Sequence, residues 1–259
     1  MKIISWNVAG LRALLKKDGL NFTQNIDIDI LCMQETKALE VEVILSKDLQ
    51  DNFPHRYWGE NHGETQRKGL SGTSIWSKTP AIRQIPTMDS DTEGRITAVE
   101  FSEFNLVTVY TPNSQGPNTD RSMMRAIIWD EEFKEYVTEL NEKKPTIICG
   151  DFNVAHLDID IYAPDKHREK SAGFLDIERV NFATLLANGF RDTFRMLHPN
   201  EPDHYTYWDQ IRPHMRTNNK GWRIDYFLTP KKMTQIKNCT IHPDILGSDH
   251  CPISLEIEQ

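Results

Sequence analysis

Residues 146–153 read Thr-Ile-Ile-Cys-Gly-Asp-Phe-Asn, an apolar run that stops at a glycine and then supplies short polar side chains on alternate positions. A short apolar run bounded by turn chemistry is the pattern of a strand buried on both faces. Gly150 admits backbone conformations that other residues resist, so Asp151 and Asn153 can point the same way. The same punctuation recurs along the chain. Lys2–Val8 carries Trp6-Asn7 at its end, and Asp29–Met33 runs into Gln34-Glu35. Ser71–Trp76 follows, then Arg95–Phe101 and Asn105–Tyr110 with the two-residue alternation of strands. Tyr205–Trp208, Arg223–Leu228 and Pro252–Ile257 complete the strand-like set, with Asp249-His250 just ahead of the last run.

Helical periodicity is clearest over Thr119–Leu140, where Met123, Met124, Ile127, Ile128, Phe133, Tyr136, Val137 and Leu140 recur at about 3.6 residues. Thr119 or Asp120 is suited to cap it. Asp176–Ala187 is a second amphipathic helix stopped by Gly189, and shorter helices are predicted over Gly10–Lys17 and Glu40–Leu49. Strands outnumber helices, and many links between them are short. Mostly antiparallel or mixed sheets with helices outside are therefore expected. No low-complexity segment or repeat divides the 259 residues, which are expected to form one domain, 1–259.

Composition narrows the class. Hydrophobic residues are 38% and charged residues 26%, a globular balance that argues against disorder. No apolar run approaches the roughly 20 residues that cross a bilayer, and nothing at the start resembles a signal peptide. The four cysteines make neither a disulfide framework nor a zinc spacing, so an intracellular, reducing compartment is expected. The net charge of −8 argues mildly against nucleic acid as partner, but a global balance says nothing about one face.

Polar residues gather where the apolar runs end: Asn7, Glu35, Tyr110, Asp151, Asn153, Asp225, Asp249 and His250. Each has an ordinary reading as a turn or surface residue. Converging carboxylates have not: one pair at 4 Å repels by about 4 kcal/mol at an effective dielectric near 20. Glu35, Asp151, Asp225 and Asp249 would need a cation, shifted protonation or a hydrogen-bonded partner. Oxygen ligands without thiolates suit a hard ion, Mg²⁺ or Mn²⁺, and the amide, phenol and imidazole groups suit phosphate oxygens. Metal-assisted phosphodiester hydrolysis is the chemistry this set suggests.

Six strings occur in order: Ser-Trp-Asn-Val-Ala-Gly-Leu-Arg-Ala (5–13), Gln-Glu-Thr-Lys (34–37), Tyr-Thr-Pro-Asn (110–113), Gly-Asp-Phe-Asn-Val-Ala-His (150–156), Gly-Trp-Arg-Ile-Asp-Tyr-Phe (221–227) and Gly-Ser-Asp-His-Cys-Pro-Ile (247–253). Together they resemble the exonuclease III class of apurinic/apyrimidinic (AP) endonucleases, in the endonuclease/exonuclease/phosphatase superfamily. The resemblance implies a four-layer α/β/β/α sandwich with two mixed sheets, outer helices and the site at one end. It implies Glu35 as principal metal ligand, with Asn7, Asp249, Asp151, Asn153 and His250 in the metal's surroundings. It also implies an Asp225-oriented His250, Asp151 as proton-transfer group, and Asn153 and Tyr110 at the phosphate. The implied activity is Mg²⁺-dependent cleavage of double-stranded DNA 5′ to an abasic site, with exonuclease or 3′-phosphodiesterase activity beside it. Incision beside deoxyuridine and a non-catalytic binding module are the rival readings. A monomer is expected.

Arg12, Ala13, Lys16, Lys17, Arg67, Lys68 and Arg223 are candidate DNA-face residues, with Asn113 another. Lys166, His167, Arg168, Lys170 and Lys220 add positive charge near the motifs. The resemblance places Tyr207, Trp222 and Ile224 around an extruded abasic sugar, while Trp208 reads as core. The chain departs from some relatives at Ala9, where they carry an acid or amide, and in the loop after Asn113, which lacks an arginine.

Overall fold

The computed structural model describes residues 1–59, 69–212 and 214–258. Twelve strands run β1 (Lys2–Asn7), β2 (Ile30–Gln34), β3 (His55–Trp58), β4 (Thr73–Ser77), β5 (Arg83–Ile85), β6 (Ile96–Glu100), β7 (Asn105–Tyr110), β8 (Thr146–Asp151), β9 (Phe190–Asp192), β10 (Asp225–Pro230), β11 (Ile236–Ile241) and β12 (Ile253–Ile257). They form two six-stranded sheets, in the orders β11-β12-β1-β2-β4-β3 and β5-β6-β7-β8-β10-β9.

Period-two alternation assigns the layers. In β1 and β2, Ile3, Ile30 and Cys32 enter the core between the sheets, while Ile4, Leu31 and Met33 meet the helices outside. In β7 and β8, Leu106, Ile147 and Cys149 face the inter-sheet core, and Val107, Val109 and Ile148 the opposite layer. Each fully buried aliphatic side chain contributes about 1.5–3 kcal/mol of transfer free energy, and strands buried on both faces collect it at every position. This is the four-layer α/β/β/α sandwich. All four cysteines are free and buried.

Each sheet holds one parallel pair at its centre, β1–β2 and β7–β8, and antiparallel pairs elsewhere. The register pairs Asn7 with Gln34 and Tyr110 with Asp151, so both pairs end at the same edge of their sheets. Antiparallel β10 starts where β8 stops, with Asp225 opposite Asp151. Antiparallel β12 likewise starts near the end of β1, with Ile253 opposite Ser5. Topology therefore brings six of the sequence motifs to one end of the sandwich. Just below them, Gln34 Nε2 donates to Ser5 Oγ (3.0 Å) and Thr108 Oγ1 (2.7 Å), tying the two sheets together.

Several predicted boundaries are corrected. The 119–140 helix is three segments, Asp120–Met124, a π turn over Arg125–Trp129, and Asp130–Lys143, capped by Thr119. The 40–49 helix resolves into a 3₁₀ turn, Glu40–Glu42, and a separate helix, Lys47–Asn52, that starts at the Ser46 cap. The 10–17 helix is Leu11–Leu15. Tyr205–Trp208 makes only isolated bridges, Tyr207 to Trp222 and to His250, because it crosses the sheet end instead of joining a ladder.

Candidate active site at the strand ends

The site's backbone is unusual where its side chains matter. Gly150 has φ +136°, and a Cβ there would lie 2.0 Å from the Val109 carbonyl oxygen on the neighbouring strand. Only glycine lets β8 approach β7 so closely. Glu35 and Asn153 have φ of 50° and 48°. Asparagine tolerates that region and glutamate rarely enters it; such conformations concentrate where a side chain has to be aimed.

A hydrogen-bonded web joins the motifs. Asn7 Nδ2 donates to Glu35 Oε1 (2.9 Å) and Asp151 Oδ2 (2.9 Å), so one amide links carboxylates from both sheets. The Ala9 N–H donates to Asn7 Oδ1 (3.0 Å), which turns the amide nitrogen inward. Asn7, expected among the metal's ligands, thus stands as a donor that orients two acids. Asn153 N–H donates to Asp151 Oδ1 (2.8 Å), Asn153 Nδ2 to the Thr111 carbonyl (2.9 Å), and Asn113 Nδ2 to Asn153 Oδ1 (3.0 Å). Asn153 is thereby fixed as an aimed amide, and Asn113 is its support.

His250 is buried. Its Nδ1 lies 2.8 Å from Asp225 Oδ2 and its Nε2 3.8 Å from Asp151 Oδ2. The His250 N–H donates to Ser248 Oγ (3.2 Å), Ser248 Oγ to the Asn7 carbonyl (2.7 Å), and Trp6 Nε1 to the His250 carbonyl (3.1 Å). Thr206 Oγ1 accepts from the Ile224 and Asp225 N–H groups, fixing the start of β10. Burial favours the neutral imidazole, but the charges of Asp225 and Asp151 outweigh it and push His250 up to about 10. Both carboxylates thus favour the protonated ring, and Nε2 is the nitrogen that Asp225 does not engage.

Asp151 is pushed up to about 7, by burial first; the His250 cation pulls it down and Asp225 pushes it up again. Tyr110 is pushed well above its ordinary range by burial and by the charges of Glu35 and Asp151, so its hydroxyl remains a donor. For Glu35, burial raises the carboxyl, and the hydrogen bonds from Asn7 and Lys37 overturn that and leave it below the usual range.

Asp151, Asp225 and His250 offer ligand atoms within 4.8 Å of one another, a buried acidic and histidine cluster able to hold a metal ion. With Nδ1 committed to Asp225, only Nε2 of His250 remains for a ligand. The oxygens of Glu35, Asp151 and Asp249, with no thiolate among them, fit a hard divalent cation. Among the described residues, buried Asp225 Oδ1 has no hydrogen-bond partner, a further acceptor in the same place.

Beside these groups, half-buried Tyr207 and Trp222 pack with Ile224, Phe174, Ile161 and Ala155. Tyr207 also lies against His250, ring centroids 4.9 Å apart. Arg12, Ala13, Lys16 and Lys17 are exposed on the segment after β1, whereas Arg67 and Lys68 fall outside the described residues. Trp208 is core. Arg223 is a correction: it is 1% exposed, with its guanidinium on Asp160 and Asp192, and has no access to a phosphate.

Two residues escaped the sequence reading. Lys37 Nζ lies 2.8 Å from Glu35 Oε2, a partner signalled only by its place two residues on. Arg216 donates to the carbonyls of Ser248 (3.0 Å), Pro243 (2.7 Å) and Ile245 (2.8 Å), holding the loop before His250 with nothing in its sequence neighbourhood to announce it.

Residues 4–250 match the Endonuclease/Exonuclease/phosphatase family. The chain is 42% identical to an exodeoxyribonuclease of Bacillus subtilis, over 99% of each protein. It is 40% identical to the DNA repair nuclease APEX1 of Danio rerio, over 98% of this chain and 81% of that protein. An AP endonuclease from Archaeoglobus fulgidus superposes with a TM-score of 0.87 at 26% identity, covering 100% of both chains. A 3′ phosphatase from Neisseria bound to a product DNA hairpin does so at 0.89 with 27% identity, again over 100% of both. Motifs, sandwich and these likenesses agree, and the chain belongs to the endonuclease/exonuclease/phosphatase family, in its exonuclease III class of AP endonucleases.

Proposed function

We propose that this chain is a divalent-metal-dependent DNA-repair phosphodiesterase that cleaves duplex DNA 5′ to an abasic site, leaving a 3′-hydroxyl and a 5′-deoxyribose phosphate. The observation that carries the reading is the Asn7 amide linking Glu35 and Asp151, beside a His250 ring held by Asp225. Glu35 and Asp249, with Asp151 at their side, would hold Mg²⁺ or Mn²⁺, which when bound supplies a Lewis acid for a phosphate oxygen and neutralises the carboxylates.

The other steps belong to the chain's own residues. His250 Nε2–H and the Tyr110 hydroxyl donate to non-bridging phosphate oxygens, where negative charge grows as water adds to phosphorus. The spare N–H of Asn153 does the same. The bond between phosphorus and the upstream 3′ oxygen then breaks. Asp151, near neutrality, accepts the proton that water loses or returns one to the departing 3′ oxygen. Tyr207, Trp222 and Ile224 would pack against an extruded sugar. A nucleotide without its base costs less to unstack, and a pocket too small for a base selects it. Arg12, Lys16 and Lys17 would grip phosphates without reading sequence, and exonuclease or 3′-phosphodiesterase activity uses the same groups on a 3′ end.

Three duplexes test this: one with a single abasic analogue, one with uracil, one undamaged. The reading expects Mg²⁺-dependent nicking of the abasic strand, stopped by chelator and restored by excess Mg²⁺. Preference for uracil would transfer the assignment to the deoxyuridine rival. Binding without nicking in any metal would make the chain a binding module.

A further inference from the structure

The stretch 120–143 carries a π turn over Arg125–Trp129. Such a turn forfeits regular helical hydrogen bonds and persists where the extra residue is used. Here Met123, Met124, Ile127 and Ile128 remain exposed while Arg125 turns inward and is 2% exposed. Its guanidinium reaches the catalytic turn. Nη1 donates to the Asn153 carbonyl (2.8 Å) and to Glu178 Oε1 (2.9 Å), and Nη2 donates to the Phe152 carbonyl (2.9 Å).

Glu178 is itself buried, and its other oxygen accepts the Leu175 N–H (3.0 Å) at the start of the helix Asp176–Ala187. Asp130 lies 3.8 Å from Arg125 Nε. These acids neutralise the guanidinium, which several kcal/mol of desolvation would otherwise oppose. Neutralisation does not require the bonds to two consecutive carbonyls. Those bonds satisfy acceptors that the left-handed backbone at Asn153 turns into the interior, where an unpaired carbonyl is costly.

We infer that Arg125 is a positioning residue for phosphodiester cleavage, acting through the 151–154 turn. Thr111 and Asn113 hold the Asn153 side chain from one side, and Arg125 holds its backbone from the other. The backbone N–H of Asn153 in turn orients Asp151. The inference rests on the reaction proposed above.

Two variants test it. Arg125→Lys retains a charge near Glu178, but an ammonium cannot serve both carbonyls and the carboxylate as the planar fork does. Arg125→Met with Glu178→Gln removes the clamp without stranding the Glu178 carboxylate, while Asp130 keeps the Asn181 amide (3.1 Å). At saturating abasic duplex and well below melting, kcat should fall about 10- to 100-fold in both, the scale of an ångström-sized misplacement. KM should stay within about two-fold, because no contact to DNA is lost. Hydrogen exchange should accelerate at the Asn153 and Val154 amides and not at Ile147–Cys149. Asn153→Ala should cost much less in the Arg125→Lys background than in wild type, as residues acting as one unit do.

A folded variant with wild-type kcat, a loss explained by lowered stability alone, or fully additive effects with Asn153→Ala would overturn the inference. Wild-type protein that fails to cleave would instead sink the reaction, and the exchange data would still judge the clamp.

Discussion

Arg223→Met separates a buried ion-pair network from a DNA contact. Arg223 Nε donates to Asp160 Oδ1 (2.9 Å) and Nη2 to Asp192 Oδ2 (2.6 Å), while the guanidinium lies over the rings of Tyr226 (4.5 Å) and Phe194 (5.4 Å). Methionine keeps most of the packing and removes the charge. Asp160 would retain Arg195 (2.7 Å), but the Asp192 oxygen loses its cation at a residue only 7% exposed. Removing one partner of such a pair costs about 3–5 kcal/mol. At about 2–4 °C per kcal/mol for a chain of this size, Tm should fall by roughly 6–20 °C. Calorimetry reads that directly. Equilibrium DNA binding of the folded variant across a salt series reads the alternative, since a lost phosphate contact lowers the salt slope by about one. Unchanged Tm with a flattened slope would refute the buried assignment and restore Arg223 to the DNA face. We expect a large fall in Tm and an unaltered slope.

Other outcomes follow from the same geometry. Gly150→Ala places a methyl group against the Val109 carbonyl, which as backbone cannot turn aside; it should lower the urea midpoint and the activity together. Asp151→Asn should bind abasic duplex near normally, measured by anisotropy, yet lose about 10²–10⁴-fold in kcat; more than about a tenth of wild-type rate would contradict its proton role. Glu35→Ala should raise the Mg²⁺ needed for half-maximal rate and be partly rescued by Mn²⁺; an unshifted metal titration would remove Glu35 from the ligand set. For Asp160, burial alone would raise the carboxyl, but Arg223 and Arg195 hold it below its ordinary value. Its stabilisation is therefore complete above the unfolded value of about 3.9 and is lost as pH falls through the lower folded value. Asp160→Asn should be less stable at neutral pH and show a shallower loss in acid, read from urea midpoints.

The sequence makes the central strands visible because burial on both faces leaves continuous apolar runs, and their polar ends stand out as Asn7, Glu35, Tyr110 and Asp151. Edge strands lack that signature. β3 (His55–Trp58) is half-buried throughout, β5 (Arg83–Ile85) is mostly exposed and β9 has three residues. Their pairing is decided by neighbours distant in sequence, as is the parallel centre of each sheet. Burial of charge was equally hidden. Asp160 and Asp192 lie 63 and 31 residues from Arg223, so a basic residue inside a site motif read as a DNA contact. The π turn escaped because the apolar period of Thr119–Leu140 fits a regular helix, and only the inward Arg125 betrays the inserted residue. Asn7 shows the converse: its position was evident, but the direction of its amide depends on the Ala9 N–H.

The account stands on a divalent cation working among acids gathered from both sheets, and end-group mapping of a 5′- and a 3′-labelled abasic duplex tests it most directly. With Mg²⁺ present, the products should be a fragment ending in a 3′-hydroxyl and a fragment carrying 5′-deoxyribose phosphate, and neither should form in chelator. Incision that proceeds equally without a divalent ion, or that leaves a sugar remnant on the 3′ end, would contradict it.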